Sequence, residues 1–149
     1  METLETKDPL AYATKEEESF LLLNGIRPSK HRLSIYNYIN YKKNHPTAEM
    51  IYNELLPLNP TLSKSTVYSI LQLFIEKNVI QQLTIEGDEI RYDANIKPHI
   101  HFKCQKCGSI FDIKDIDVNT SIQEKFNIDT NFSIDTYQIF LWGKCSFCK

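Results

Sequence analysis

The sequence predicts an α+β fold, a helical N-terminal part closed by a β-hairpin and followed by a smaller segment built around metal ligands. Three observations predict it. Apolar residues recur at helical spacing in segments between Lys15 and Phe74. Two apolar or alternating runs, residues 79–85 and 89–93, then flank the glycine turn Glu86-Gly87-Asp88. All four cysteines fall in two Cys-x-x-Cys pairs, Cys104/Cys107 and Cys145/Cys148, and a His-x-His, His99-Ile100-His101, runs into the first pair.

Each element has a local reason. Residues 15–24 carry Phe20, Leu21, Leu22 and Leu23 before Gly25, which suits a short helix ended by glycine. Ser29 opens a second helix whose Leu33, Ile35, Tyr36 and Ile39 fall mostly on one side, leaving Lys30, Arg32 and Lys42 on exposed ground. After the break at His45-Pro46, Thr47 caps a third helix through Leu55 or Leu56, with Met50, Ile51 and Leu55 facing inward; Pro57 and Pro60 stop it. A fourth helix follows Ser63 and places Val67, Ile70, Leu71 and Phe74 on a buried stripe. Its opening turns leave Lys64, Ser65, Thr66, Tyr68 and Ser69 uncommitted. Short hydroxyls, a lysine and a tyrosine at a helix start suit phosphates and a major groove. Helices followed by such a hairpin spell a winged helix-turn-helix.

With 149 residues, 42% hydrophobic and 24% charged, the chain has room for one domain or two small ones and belongs with ordinary globular proteins. No apolar run approaches the roughly 18 residues that span a bilayer, and the acidic start is unlike a leader peptide, so a cytoplasmic location and no membrane partner are expected. The net charge of −2 conceals a basic segment: residues 26–80 hold seven Lys and Arg against three Asp and Glu.

A Cys-x-x-Cys turn offers two thiolates, and two such turns together supply the four soft ligands that tetrahedral Zn(II) prefers. That site is closed and structural, since it consumes every cysteine. Disulfides are the weaker reading given the spacing within each pair and the absence of a leader. His99 and His101 alternate on an extended segment, project to one side, and with nearby carboxylates suit a second, harder metal.

In their order and spacing, Gly25-Ile26-Arg27 through Arg32, His45-Pro46-Thr47-Ala48, Ser65-Thr66-Val67-Tyr68, Arg91-Tyr92-Asp93, His99-Ile100-His101, Cys104 to Gly108 and the terminal Cys145-x-x-Cys148 resemble the ferric-uptake-regulator superfamily over nearly the whole chain, most of all its peroxide-sensing PerR branch. The resemblance implies a winged-helix DNA-binding domain over residues 1–92, with 1–15 a flexible tail, a hinge at 93–98 and a small α/β dimerisation domain over 99–149. It implies a homodimeric, metal-dependent repressor of double-stranded operator DNA, not an enzyme and without a small organic substrate. Structural zinc maps onto Cys104, Cys107, Cys145 and Cys148. Regulatory Fe(II) or Mn(II) maps onto His45, Asp93, His99, His101 and Asp112, so that metal binding favours the DNA-competent dimer and DNA in turn tightens metal binding. Arg32, Lys64, Ser65, Thr66 and Tyr68 are the expected DNA contacts, through binding that weakens as salt rises. His31 has no role in this scheme and is expected to face solvent or DNA.

Asp112 at the last ligand position, Pro98 beside the His-x-His and no histidine after His101 resemble the peroxide sensors rather than the iron-uptake regulators. The resemblance then implies that Fe(II) reacts with hydrogen peroxide and a ligating histidine, His45 or His99, is oxidised, releasing metal and operator. A repressor of metal-uptake genes answering reversibly to iron or manganese is the alternative. Ser29-Lys30-His31-Arg32 departs from the family's Thr-Pro-Gln-Arg, which bears on operator preference. A zinc-dependent hydrolase lacks its motif, since neither His-Glu-x-x-His nor His-x-Glu with Pro-Cys-x-x-Cys is present. A zinc-stabilised protein adaptor leaves the hairpin and the basic segment unexplained.

Overall fold

The computed structural model describes residues 14–113 and 122–149. They fold as two compact units, the first ending at Ile96 and the second beginning at Lys97. The chain is α+β, as expected. Among the described residues no helix is long and apolar enough to cross a membrane.

In the first unit, Thr14 precedes α1 (Lys15–Leu23), and its N–H donates to the Glu17 carboxylate at 2.6 Å, the returning half of a capping box. Of the segment expected as a flexible tail, residues 1–13 lie outside the described residues, while Thr14 and Lys15 already belong to this helix start. Gly25, at φ 71°, ends α1: its N–H reaches Leu22 O and that of Ile26 reaches Leu21 O, both at 2.9 Å. This Schellman closure brings Leu21 and Ile26 into one buried cluster.

Ser29 caps α2 (Lys30–Lys42), accepting from the Arg32 N–H. Here the structure departs from a one-sided helix, because Ile35, Tyr36, Asn37, Tyr38 and Ile39 are all buried. The reason is position: α2 packs against α1, α3, α4 and the second hairpin strand, so it is surrounded rather than laid on a surface. Arg32 is half-buried rather than exposed, its Nη1 donating to Arg27 O at 2.7 Å. Thr47 caps α3 (Ala48–Leu55), with Ile51 and Leu55 buried and Met50 only half-buried. Ser63 caps α4 (Lys64–Glu76), whose Val67, Ile70, Leu71 and Phe74 form the expected stripe.

A second Schellman closure follows α4, with Asn78 at φ 52° supplying the left-handed residue and the Val79 N–H reaching Phe74 O at 2.8 Å. Val79 and Ile80 therefore plug the core, and β1 (Gln81–Glu86) starts two residues later than residue 79 suggested. It pairs antiparallel with β2 (Glu89–Asp93) through an irregular register between Leu83 and Glu86.

In the second unit, a three-stranded sheet has the order β4-β3-β5, made by β3 (Ile100–Cys104), β4 (Ile110–Ile113) and β5 (Ile139–Gly143). β4 runs antiparallel to β3, placing His101 opposite Asp112; β5 runs parallel to it, placing Gly143 opposite Cys104. Gly143 suits a tight spot, since a Cβ there would lie 3.1 Å from the Phe102 ring. One short helical turn, α5 (Ile122–Lys125), lies between β4 and β5.

Glu17 is buried on α1 and accepts from Thr14 and from the Tyr41 hydroxyl of α2 at 2.5 Å. Burial pushes its carboxyl up, but the hydrogen bonds from Thr14 and Tyr41 outweigh it and hold it below the ordinary value of 4.5. A depressed carboxyl contributes stability that is present above the unfolded value and fades as pH falls through the folded one. Tyr41→Phe is expected to cost about 1–2 kcal/mol at neutral pH, with the deficit shrinking in the acid limb of a pH series of urea melts.

Candidate metal centres and DNA-facing surface

The first knuckle is the turn that joins β3 to β4. Gly108, at φ 76°, lets its N–H close on Cys104 O at 2.9 Å, and the Cys104 N–H reaches Ser109 O at 2.9 Å. The second knuckle follows β5, where the Cys148 N–H closes on Cys145 O at 2.9 Å. Because β5 lies beside β3, the two turns meet: one sulfur from each of Cys104, Cys107, Cys145 and Cys148 lies within 4.8 Å of every other. The Cys107 and Cys145 sulfurs are 3.9 Å apart, far from the roughly 2.05 Å of a disulfide. Zn–S bonds of about 2.3 Å put tetrahedral sulfurs about 3.8 Å apart, so the four thiols fit zinc.

The backbone prepares these sulfurs for charge. The N–H groups of Cys107 and Cys145, the latter at 3.3 Å, point at Cys104 and hold its thiol down to about 6. Hydrogen bonding with the Ser109 hydroxyl and backbone lowers Cys107 as well. Cys148, hydrogen-bonded to the Cys145 sulfur, is pushed up to about 12. Thiolate forms easily at one end of the cluster, and the proton left at the other must be displaced by a cation.

The same sheet carries a second donor set. His99 Nε2 lies 3.2 Å and His101 Nε2 3.5 Å from the same carboxylate oxygen, Oδ1 of Asp112. The two rings stand 4.2 Å apart, and His101 is 2% exposed. Lys97 O, 2.7 Å from His99 Nδ1, can only accept, so Nδ1 bears the hydrogen. A neutral His99 then turns the lone pair of Nε2 toward the oxygen of Asp112, an arrangement that needs a proton or a cation between them. Separations of 3.2 and 3.5 Å approach the edge of a six-coordinate site with bonds of about 2.1 Å, which is about 3 Å. These three groups fit a hard divalent metal.

In the first unit, His45 and Asp93 form a second N/O pair. His45 is 3% exposed, and its Nε2 lies 4.0 Å from Asp93 Oδ2. Asp93 is aimed by the Asn95 N–H at 2.8 Å and by Gln81 Nε2 at 3.3 Å. The expected five ligands thus lie as a pair on one unit and a triad on the other.

The expected DNA contacts all lie on the first unit, around the start of α4. Arg32, Ser65 and Thr66 line one open cleft with Ser29, His31 and Ser69. His31 is not simply solvated, since its Nε2 lies 3.2 Å from the Thr61 hydroxyl. Tyr68 is 55% exposed and lines a second hollow with Glu49, Asp88 and Glu89. Lys64 points elsewhere, to Glu49 at 2.7 Å and over the Tyr52 ring at 5.4 Å. The hydrogen bond to Glu49 raises its ammonium above the ordinary 10.5. Sequence reasoning gave no role to Glu49, Asp88 or Glu89 beside the fourth helix; their sign was visible but their proximity was not.

The ferric uptake regulator family model matches residues 23–142. The chain belongs to this family. Two similar relatives are peroxide-responsive repressors PerR, from Staphylococcus epidermidis at 31% identity over 135 residues, covering 89% of each chain, and from Staphylococcus aureus strain Mu50 at 32%, covering 89% of this chain and 90% of that one. The solved ferric uptake regulator of Vibrio cholerae shares the fold, with a TM-score of 0.69, 24% identity, and 87% of this chain matched to 99% of that one. Proteins of the ferric uptake regulator family are transcription regulators, not enzymes, and they bind DNA and act as dimers.

If the four thiols hold zinc, a strong chelator is expected to abolish the cooperative melting of the second unit, because metal binding there would be folding energy. The first unit, with its own core, should keep its helical circular dichroism and melt as before.

Proposed function

We propose that this member of the family is a homodimeric, metal-dependent repressor that senses hydrogen peroxide. The observation that carries the reading is the thiolate-free set formed by His99, His101 and Asp112, in which two imidazoles face one carboxylate oxygen. Such donors suit Fe(II) or Mn(II) better than dedicated zinc sensing. A regulatory ion drawing on His99, His101 and Asp112 together with His45 and Asp93 ties the DNA-binding domain, residues 1–92, to the dimerisation domain, residues 99–149, across a hinge at 93–98. Occupancy then favours the arrangement of the paired domains that fits the operator. Zn(II) on Cys104, Cys107, Cys145 and Cys148 keeps the dimerisation domain folded. Exposed Phe111, Leu141 and Trp142 on the edge strands β4 and β5 support pairing with a second copy.

Arg32, Lys64, Ser65, Thr66 and Tyr68 serve double-stranded operator DNA, with the hydroxyls and basic groups on phosphates and Tyr68 in the major groove. Fe(II) held there would supply the electron that opens the O–O bond of hydrogen peroxide. Overall one peroxide oxygen goes to an imidazole of His45 or His99, which furnishes the two electrons, and the other leaves as water; the modified ring would weaken the metal set and release DNA. The relatives named for peroxide response support this reading at modest identity.

Two experiments test it. Anaerobic Fe(II)-loaded, zinc-replete protein given stoichiometric hydrogen peroxide should gain one oxygen atom on the peptide containing His45 or His99, by peptide-resolved mass spectrometry, while a Mn(II)-loaded control gains none. No gain with iron would overturn peroxide sensing and leave a repressor that answers reversibly to iron or manganese. In operator binding, Tyr68→Ala should weaken affinity at least tenfold, the scale of one or two kcal/mol of lost contact, with Lys149→Ala unchanged; equal effects would argue for a protein adaptor.

A further inference from the structure

The loop that carries His45 has an uncommon backbone. Lys43 and His45 sit at φ 49° and 47°, in the left-handed region that residues with a Cβ rarely occupy. Such a loop keeps its shape only if something outside it determines that shape. Strand β2 does so with consecutive residues. The Tyr92 N–H donates to Pro46 O at 3.0 Å, Arg91 Nη1 donates to His45 O at 3.2 Å, and Asp93 lies beside the His45 ring.

Arg91 is the centre of this array. In the structure its side chain is only 16% exposed, with Nε on Glu86 at 2.5 Å, Nη2 on Glu89 at 3.5 Å, and Nη1 also 3.5 Å from Met50 Sδ. Two carboxylates from the hairpin aim the guanidinium inward, and the nitrogen left over grips the His45 carbonyl. A planar fork with donors on three nitrogens is needed for this, which a lysine ammonium cannot reproduce.

We propose that Arg91 is a positioning residue for the metal site: steered by Glu86 and Glu89, it fixes the left-handed backbone of His45 and so sets the imidazole beside Asp93. The proposal rests on the reading of His45 as a ligand of the regulatory ion. It makes the wing's base and the ligand loop one hydrogen-bonded piece.

The test uses full-length, zinc-replete protein and Mn(II) as the probe. Removing outer partners of metal ligands typically lowers metal affinity by 10–100-fold, so Arg91→Gln should weaken Mn(II) binding, read by electron paramagnetic resonance titration, by on the order of tenfold. The double variant His45→Ala/Arg91→Gln should bind no worse than His45→Ala, because Arg91 acts only through His45; an additive further loss would overturn the proposal. Without Mn(II), amide hydrogen exchange over residues 44–47 should quicken by on the order of tenfold in Arg91→Gln and less in Arg91→Lys. Unchanged exchange there would overturn it whatever the metal does. If His45→Ala itself leaves Mn(II) affinity intact, the ligand reading fails, and the exchange measurement still decides whether Arg91 holds the loop. Should Arg91→Gln not fold, Arg91→Lys carries the same comparisons.

Discussion

Cysteines 41 residues apart share one ion only if the chain returns in a fixed register, and the parallel pairing of β5 with β3 imposes that register. The Gln105 N–H reaches Gly143 O at 2.8 Å just where β3 turns into the first knuckle, so the second knuckle emerges beside it. Parallel pairing spares no tight turn to hold it, and it relies on the long connection through α5. A zinc ion held by the four thiols at the end of the two strands would act as the missing clasp. The same central strand carries the buried His101, so whatever fixes β3 for the thiols also fixes that imidazole.

Much of the first unit was legible because its signals are local. Ser29, Thr47 and Ser63 each cap the helix that a side-chain oxygen before an apolar run announces. The stripe of α4 was readable for the same reason. What was not legible depended on neighbours: the burial of α2 on nearly every side follows from the elements packed around it, and Val79 and Ile80 were drawn into the core by an asparagine closure that looks like a strand start. In the second unit the thiols and the His-x-His were legible as chemistry. The sheet order was not, since strands of four or five residues carry too few alternations to reveal a parallel partner.

The ligand groups illustrate the same division. Alternation predicts that His99 and His101 share a side, and the antiparallel register confirms why Asp112 joins them, directly opposite His101 on the neighbouring strand. No spacing rule could place a carboxylate eleven residues downstream against both rings. The knuckle between them does so by fixing the length of the turn.

The pairing of Lys64 with Glu49 and the Tyr52 ring has a bearing on affinity that a charge tally hides. Lys64 begins α4 with an internal counter-ion already in place. Reaching a phosphate means exchanging one anionic partner for another, and Glu49 is left to be hydrated. Whatever Lys64 would gain from a phosphate is offset by the pair it gives up, so it would add less to operator affinity than its formal charge suggests.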